Sequence, residues 1–277
     1  MLTSSDTRVV LDARRPRHLA RALDDVGDGL SQWQLAWRLA LLDLRNRYRG
    51  SVLGPLWMTL SIATMIGGLG LLYGRLFNLE LSVYLPHLAV SLIVWNWIAS
   101  SLNDSCQAFT AAEGIIRQMR MPYTVHVLRC VFRNMIGAAH TLPIAFVVLL
   151  PLGAMPGPIA LLGLVGLALI AVNVAAAAFF LGMICARFRD VPQIVASVVQ
   201  FSFFLTPVLW KAELLGDDAV WLVLNPFYVL LETVRGPLTA DGGALTAWIA
   251  AVVYSLVNVG LALALFVRFR ARIAFWV

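Results

Sequence analysis

Six long apolar runs dominate the chain: Leu53–Tyr73, Val83–Leu102, Val131–Leu152, Ile159–Ala186, Val191–Leu209 and Leu245–Phe266. As helices rising about 1.5 Å per residue, they match the roughly 30 Å of hydrocarbon in a bilayer. Lipid offers the backbone no hydrogen-bond partner, so runs of this kind must satisfy their N–H and C=O groups internally, as helices do. The fourth run exceeds one span and is rich in Ala and Gly, which predicts a tilted helix packed closely through small residues. Pro143 predicts a kink in the third. A seventh stretch, Ala219–Val234, is shorter and is broken by Asn225-Pro226, where proline removes a backbone donor. Broken backbone at membrane depth is tolerated only when buried in protein or lining a cavity. The stretch therefore predicts a re-entrant helical hairpin between spans five and six.

Ahead of the spans the pattern changes twice. Residues 1–30 are polar, of mixed charge, and carry Pro16, Gly27 and Gly29, which predicts a loosely folded tail. From Ser31 to Arg49, Trp33, Trp37, Leu41, Leu44 and Tyr48 recur at steps of three or four, with Gln34, Arg38, Arg45 and Arg49 on another face. That periodicity fits an amphipathic helix in the membrane interface; an ordinary surface helix has the same pattern but needs a soluble domain to cover. The predicted organisation is thus a tail at 1–30, an interface helix at 31–50 and a membrane domain at 51–277. The fold class is all-α integral membrane, with six spans and one re-entrant hairpin.

Composition agrees: 60% of the 277 residues are hydrophobic and 13% charged, against about 45–50% and about 25% in soluble domains. The net charge of +6 sits at the ends of apolar runs and forms no single patch interleaved with stacking aromatics, so nucleic acid is not the implied partner. Arginine placement sets the orientation, because basic loops are retained in the cytoplasm. Arg45, Arg47 and Arg49 precede span one. Arg117, Arg120, Arg129 and Arg133 lie between two and three, Arg187 and Arg189 between four and five, and Arg268, Arg270 and Arg272 after six. The opposite side has Arg75, Lys211 and Arg235 among Glu80, Glu213, Asp217, Asp218, Glu232 and Asp241. Both termini are expected in the cytoplasm. The first fifty residues, studded with Arg8, Arg14, Arg15, Arg17 and Arg21, hold no signal-peptide core.

Chemistry is sparse. The three cysteines, Cys106, Cys130 and Cys185, are far apart and odd in number, which argues for free thiols and against a metal knuckle. The four histidines, His18, His87, His126 and His140, are scattered and mostly near span ends; His140 alone lies well inside one, where it reads as a packed bundle residue more readily than a proton carrier. A Walker A loop needs Gly-Lys before Ser or Thr, and the one lysine, Lys211, follows Trp210. If ATP drives this protein, another chain binds it. The loop Ser105–Pro122 contains a helix-forming stretch in which Ile115, Ile116 and Met119 make an apolar patch ringed by Glu113, Arg117 and Arg120. A helix covering the bundle and a helix receiving a partner fit that pattern equally.

Arg47-Tyr48-Arg49-Gly50-Ser51-Val52-Leu53-Gly54-Pro55-Leu56-Trp57 resembles the signature of ABC-2 type permeases that export polysaccharide and O-antigen. Arg120-Met121-Pro122, Arg187-Phe188-Arg189-Asp190, Phe204-Leu205-Thr206-Pro207-Val208 and Asn225-Pro226 followed by Arg235 continue the resemblance in order, from about Leu35 to the C-terminus. It implies a bacterial cytoplasmic-membrane permease working as a homodimer. An ABC nucleotide-binding subunit would hold ATP and Mg, so this chain needs no cofactor, and the cargo would be a lipid-linked glycan. Under that reading the partner docks on Glu113, Ile115, Ile116, Arg117, Met119 and Arg120. Trp57, Phe201, Phe203 and Phe204 offer flat apolar faces to sugar rings, unless they serve as packing. Asn225 and Pro226 mark an outer gate. The alternatives are an ABC-2 exporter of drugs or simple lipids and, in another class, a membrane-embedded lipid-linked sugar transferase. The transferase would need paired carboxylates or a metal site at the interface, whereas Asp43 and Asp104 stand alone in the sequence.

Overall fold

A computed structural model of the chain describes residues 18–76, 78–153, 157–239 and 244–277. Residues 1–17 of the expected tail, with Arg8, Arg14, Arg15, Pro16 and Arg17, lie outside the described residues, as does Asp241. The described residues form helices α1 (His18–Ser31), α2 (Trp33–Arg47), α3 (Leu56–Leu76), α4 (Leu81–Ser105), α5 (Glu113–Gln118) and α6 (Tyr123–Leu149). These are followed by α7 (Leu162–Arg187), α8 (Val191–Leu205), α9 (Pro226–Leu238), α10 (Leu245–Phe269) and α11 (Ile273–Trp276).

Among the described residues, five helices are long and apolar enough to cross a membrane: α3, α4, α6, Pro158–Arg187 around α7, and Leu245–Trp276 around α10. A sixth crossing is possible through a broken pair, in which the 3₁₀ arm Ala212–Leu224 meets α9 at a bend of 112°. The expected re-entrant stretch falls on this pair. The run expected as span five is shorter than its hydropathy: α8 has 15 residues, about 22 Å of helix. The cause is local. Thr206 precedes Pro207, whose ring disfavours helical backbone at the residue before it, and Thr206 is extended at φ −91° and ψ 133°.

Helix α4 is the axis of the bundle, buried along most of its length from Tyr84 to Ser105. Around it pack α3, α6, α7, α8 and α9. Between helices in lipid, close backbone approach and polar bonds replace the hydrophobic drive. Gly166 of α7 lies so near α9 that a Cβ there would sit 2.5 Å from the Thr233 carbonyl oxygen. Asn173 of α7 donates to Ser255 Oγ of α10 at 2.7 Å and accepts from Asn258 Nδ2 at 3.0 Å. The small-residue packing expected of the fourth run is therefore the α7 interface. Helices α3 and α8 bury only narrow stripes: Ile62, Ile66, Gly70 and Gly74 on one, Val199 and Ser202 on the other.

The chain from His18 is not a loose tail. Ala22, Asp25 and Gly29 recur at helical spacing and form the buried face of α1 against α6. In α2 the buried stripe is Ala36, Ala40 and Leu44, whereas Trp33, Trp37 and Leu41 of the expected apolar face stay exposed. Trp37 meets Phe132 of α6 edge-on at 5.5 Å between ring centres. His140 is exposed, with Nδ1 2.7 Å from the Ile136 carbonyl of its own helix, so it is not a packed bundle residue.

Candidate functional site

The ionic contacts of the arginine-rich end explain how α2 is held. Arg129 of α6 grips Asp43 of α2 with both ends of its fork, at 2.7 Å from Nε and 2.5 Å from Nη2. Arg133 bridges Asp43 at 3.1 Å and Asp104 at 2.9 Å, and Arg47 lies 3.6 Å from Asp104. Bidentate arginine–carboxylate geometry is the strong form of such contacts. Burial alone would raise the Asp43 carboxyl, but the Arg129 and Arg133 guanidiniums outweigh it and hold the group below its ordinary range. Asp43 and Asp104, isolated in sequence, thus share Arg133. The signature segment between α2 and α3 holds Gly50 and Gly54 at φ 83° and 52°, a left-handed backbone that glycine adopts without strain. The Gly54 N–H donates to Ser51 Oγ at 3.0 Å.

The predicted docking segment is the six-residue helix α5, and its faces divide unequally. Ile115 and Ile116 are half-buried, with Ile116 packed on a cluster that includes Phe109, Val127 and Phe266. Met119, at 60% exposure, is the apolar side chain left open, beside exposed Arg117 and Arg120. Glu113 pairs with Arg117 at 2.9 Å. The patch is therefore partly spoken for by the chain's own core: Ile116 faces inward, and the outward surface is Gly114, Arg117, Gln118, Met119 and Arg120.

The aromatic candidates do not gather. Trp57 is the second residue of α3, whereas Phe201, Phe203 and Phe204 lie in the last turns of α8. Trp57, Phe201 and Phe204 are more than half exposed. Phe203 turns inward to Trp95 of α4, 5.6 Å between ring centres, and Trp95 meets Phe227 of α9 at 5.7 Å. Phe203 is thus a packing residue joining α8 to α4.

At the level where Phe227 meets Trp95 of α4, Asn225 caps α9: its side-chain carbonyl accepts from the Phe227 and Tyr228 N–H groups at 3.0 and 3.3 Å, and Pro226 occupies the first turn. Side-chain caps satisfy donors that a helix start leaves open. The Asn225 amide also donates to Thr206 Oγ1 at 3.0 Å, tying the bend to the end of α8. Ten residues further along the chain, in the last turn of α9, Arg235 is 5% exposed. It donates to Glu232 from Nε at 3.1 Å and Nη2 at 2.5 Å, and from Nη1 to the Pro207 carbonyl at 2.6 Å and Ser91 Oγ at 3.0 Å. It therefore locks α9, α4 and the segment after α8 together. Beside it opens a cavity of about 550 Å³ lined by Lys211, Glu213, Tyr228, Glu232 and Thr239 among others.

Reading by charge alone puts Glu232 and Arg235 on the side opposite the cytoplasm and misses this hub. The available signal was an acid and an arginine three apart within an apolar helical run. A second missed group, Asp25 with Arg270, is 245 positions apart, and no local pattern joins them.

A family model described as "ABC-2 type transporter" matches residues 33–239. An O-antigen export system permease protein RfbA of Klebsiella pneumoniae is 29% identical over 202 residues, which cover 70% of this chain and 75% of that one. An O-antigen export system permease protein RfbA of Myxococcus xanthus is 28% identical over 200 residues, with the same shares covered.

Proposed function

The chain belongs to the ABC-2 type transporter family, and from that premise we propose that it is the permease subunit of an exporter carrying a lipid-linked, O-antigen-like polysaccharide outward across the bacterial cytoplasmic membrane. The likeness to O-antigen export permeases over most of the chain carries this reading. A separate nucleotide-binding subunit supplies the ATP hydrolysis and holds the ATP and Mg. The arginine-rich end and both termini face the cytoplasm, in accord with basic-residue retention there.

Two copies of the chain enclose the conduit, and the broad exposed apolar faces of α3 and α8 are compatible with walls completed by a second subunit. Trp57, Phe201 and Phe204 offer sugar faces weak stacking, on the order of 1 kcal/mol each, which lets a polymer leave each step as readily as it enters. The bent pair at Asn225-Pro226 closes the outer mouth. On the cytoplasmic side the partner docks on the Glu113–Arg120 segment, with Met119 as the apolar contact and Arg117 and Arg120 at the rim.

Export is tested in cells lacking the native copy. Trp57→Ala and Phe204→Ala reduce surface glycan severalfold while the complex assembles and its basal ATP turnover persists. Undiminished glycan in both variants moves the pathway to other helices. The purified chain alone hydrolyses no ATP, and turnover above background without a second polypeptide refutes the division of labour.

A further inference from the structure

Asp25 is a carboxylate with no side-chain exposure, in a helix that precedes the family-matched residues. A buried charge is costly unless paired and fully hydrogen-bonded, and this one is both. Oδ1 accepts from the Thr124 N–H at 3.1 Å and Thr124 Oγ1 at 2.9 Å; Oδ2 accepts from the Tyr123 N–H at 3.2 Å and Arg270 Nε at 2.8 Å. Arg270 Nη2 is 2.7 Å away, and its guanidinium lies over the Tyr123 ring at 5.6 Å. One side chain of α1 thus binds the first two residues of α6, immediately after the α5 segment, to the arginine that follows α10.

The backbone makes the same junction. A Cβ on Gly29 would lie 2.3 Å from Thr124 Cβ, so α1 rests directly on the start of α6. A second strap runs from Arg117 of α5 to the Val277 carbonyl. Between these straps lies a groove of about 490 Å³, walled on one side by Arg117, Met119 and Arg120 and on the other by Arg270, Ala271 and Ala274. Arg120 has no ion-pair partner among the described residues, and Met119 is open. A basic rim around an exposed thioether fits an apolar side chain flanked by carboxylates.

We propose that the ATP-hydrolysing partner inserts an acid-flanked apolar side chain into this groove, docking against the end of the last span as well as α5, and that Asp25 is the positioning residue holding the two walls in register. The proposal rests on the reading that the partner docks on the Glu113–Arg120 segment. It gives α1 a role in relaying force: a push on α5 reaches α6 and α10 through a single carboxylate.

The test uses the full chain in lipid nanodiscs, with hydrogen exchange read by peptide and binding of the purified nucleotide-binding subunit read by titration. Asp25→Asn keeps an acceptor and removes the charge. Arg270→Gln alters a side chain that is about one-third exposed and carries the test should the Asp25 variant misfold. Both raise exchange across residues 113–123 at least tenfold while the spans keep their protection, and both weaken partner binding at least tenfold. Faster exchange confined to residues 18–31 overturns the positioning role. Ala274→Trp, which fills the groove, also costs at least tenfold in binding; unchanged binding there, with binding lost in Arg120→Glu, refutes the second wall alone. Unchanged binding in Arg120→Glu and Met119→Asp together removes the docking reading itself, whereas the exchange result stands or falls independently.

Discussion

Gly166 offers a sharp test of how this bundle is packed. Replacing it with Ala places a methyl carbon 2.5 Å from the Thr233 carbonyl oxygen and 2.7 Å from its carbonyl carbon, against an ordinary contact of at least 3.4 Å. The obstacle is backbone, which cannot rotate aside, so α7 and α9 must part by 0.9 Å, the difference between 3.4 and 2.5 Å. Overpacking of this kind costs about 1–3 kcal/mol. Ala offsets at most about 1 kcal/mol of that through its better helix propensity. Gly260 in α10 is the matched control, because a Cβ there meets nothing within 4 Å. In thermal unfolding of the purified protein, Gly166→Ala should melt several degrees below wild type and Gly260→Ala at or slightly above it. Since α9 is one arm of the bent pair, glycan export should fall with the first and not the second. A Gly166→Ala protein as stable as the Gly260→Ala protein would show that α7 and α9 are not in contact at this depth.

Arg235→Met strands Glu232 inside the bundle and should cost about 3–5 kcal/mol; Arg235→Met with Glu232→Leu removes both charges and should recover much of that loss in the same melting assay, and failure to recover places the role of Arg235 elsewhere. The depressed Asp43 carboxyl contributes stability above its ordinary pKa near 4 and loses it as pH falls through the folded value. Asp43→Asn should therefore be less stable at pH 7, with the gap to wild type closing below about pH 4; a gap constant across that window contradicts the ion-pair origin. For orientation, an impermeant maleimide applied to intact cells should label Lys211→Cys and spare Met119→Cys, and the reverse pattern inverts the topology. The native Cys106, Cys130 and Cys185 are all buried and should stay unlabelled in both backgrounds.

Much of this architecture is written in local pattern. Apolar run length marks the span helices, because lipid leaves the backbone no alternative, and Asn225-Pro226 announces the bend because an amide cap and an N-terminal proline both act within one turn. The family signature is legible because its residues are contiguous, and its Gly50 and Gly54 take a left-handed backbone that glycine adopts without strain. Even the early end of α8 is present in Thr206-Pro207, though hydropathy runs past it. What tertiary structure decided is which face each helix buries and which distant charges meet. Run length does not distinguish Phe203, turned to Trp95, from Phe204, turned outward, because in a membrane helix both faces are apolar and only a neighbour selects one. Ile116 and Met119 look equivalent on α5 until the core beneath takes the first. Asp25 reads as part of a polar tail, since the groups that make its burial tolerable, Thr124 and Arg270, come from the far side of the chain. Buried charge is stable only when several elements converge on it, and such convergence is a property of the folded bundle that no local window contains.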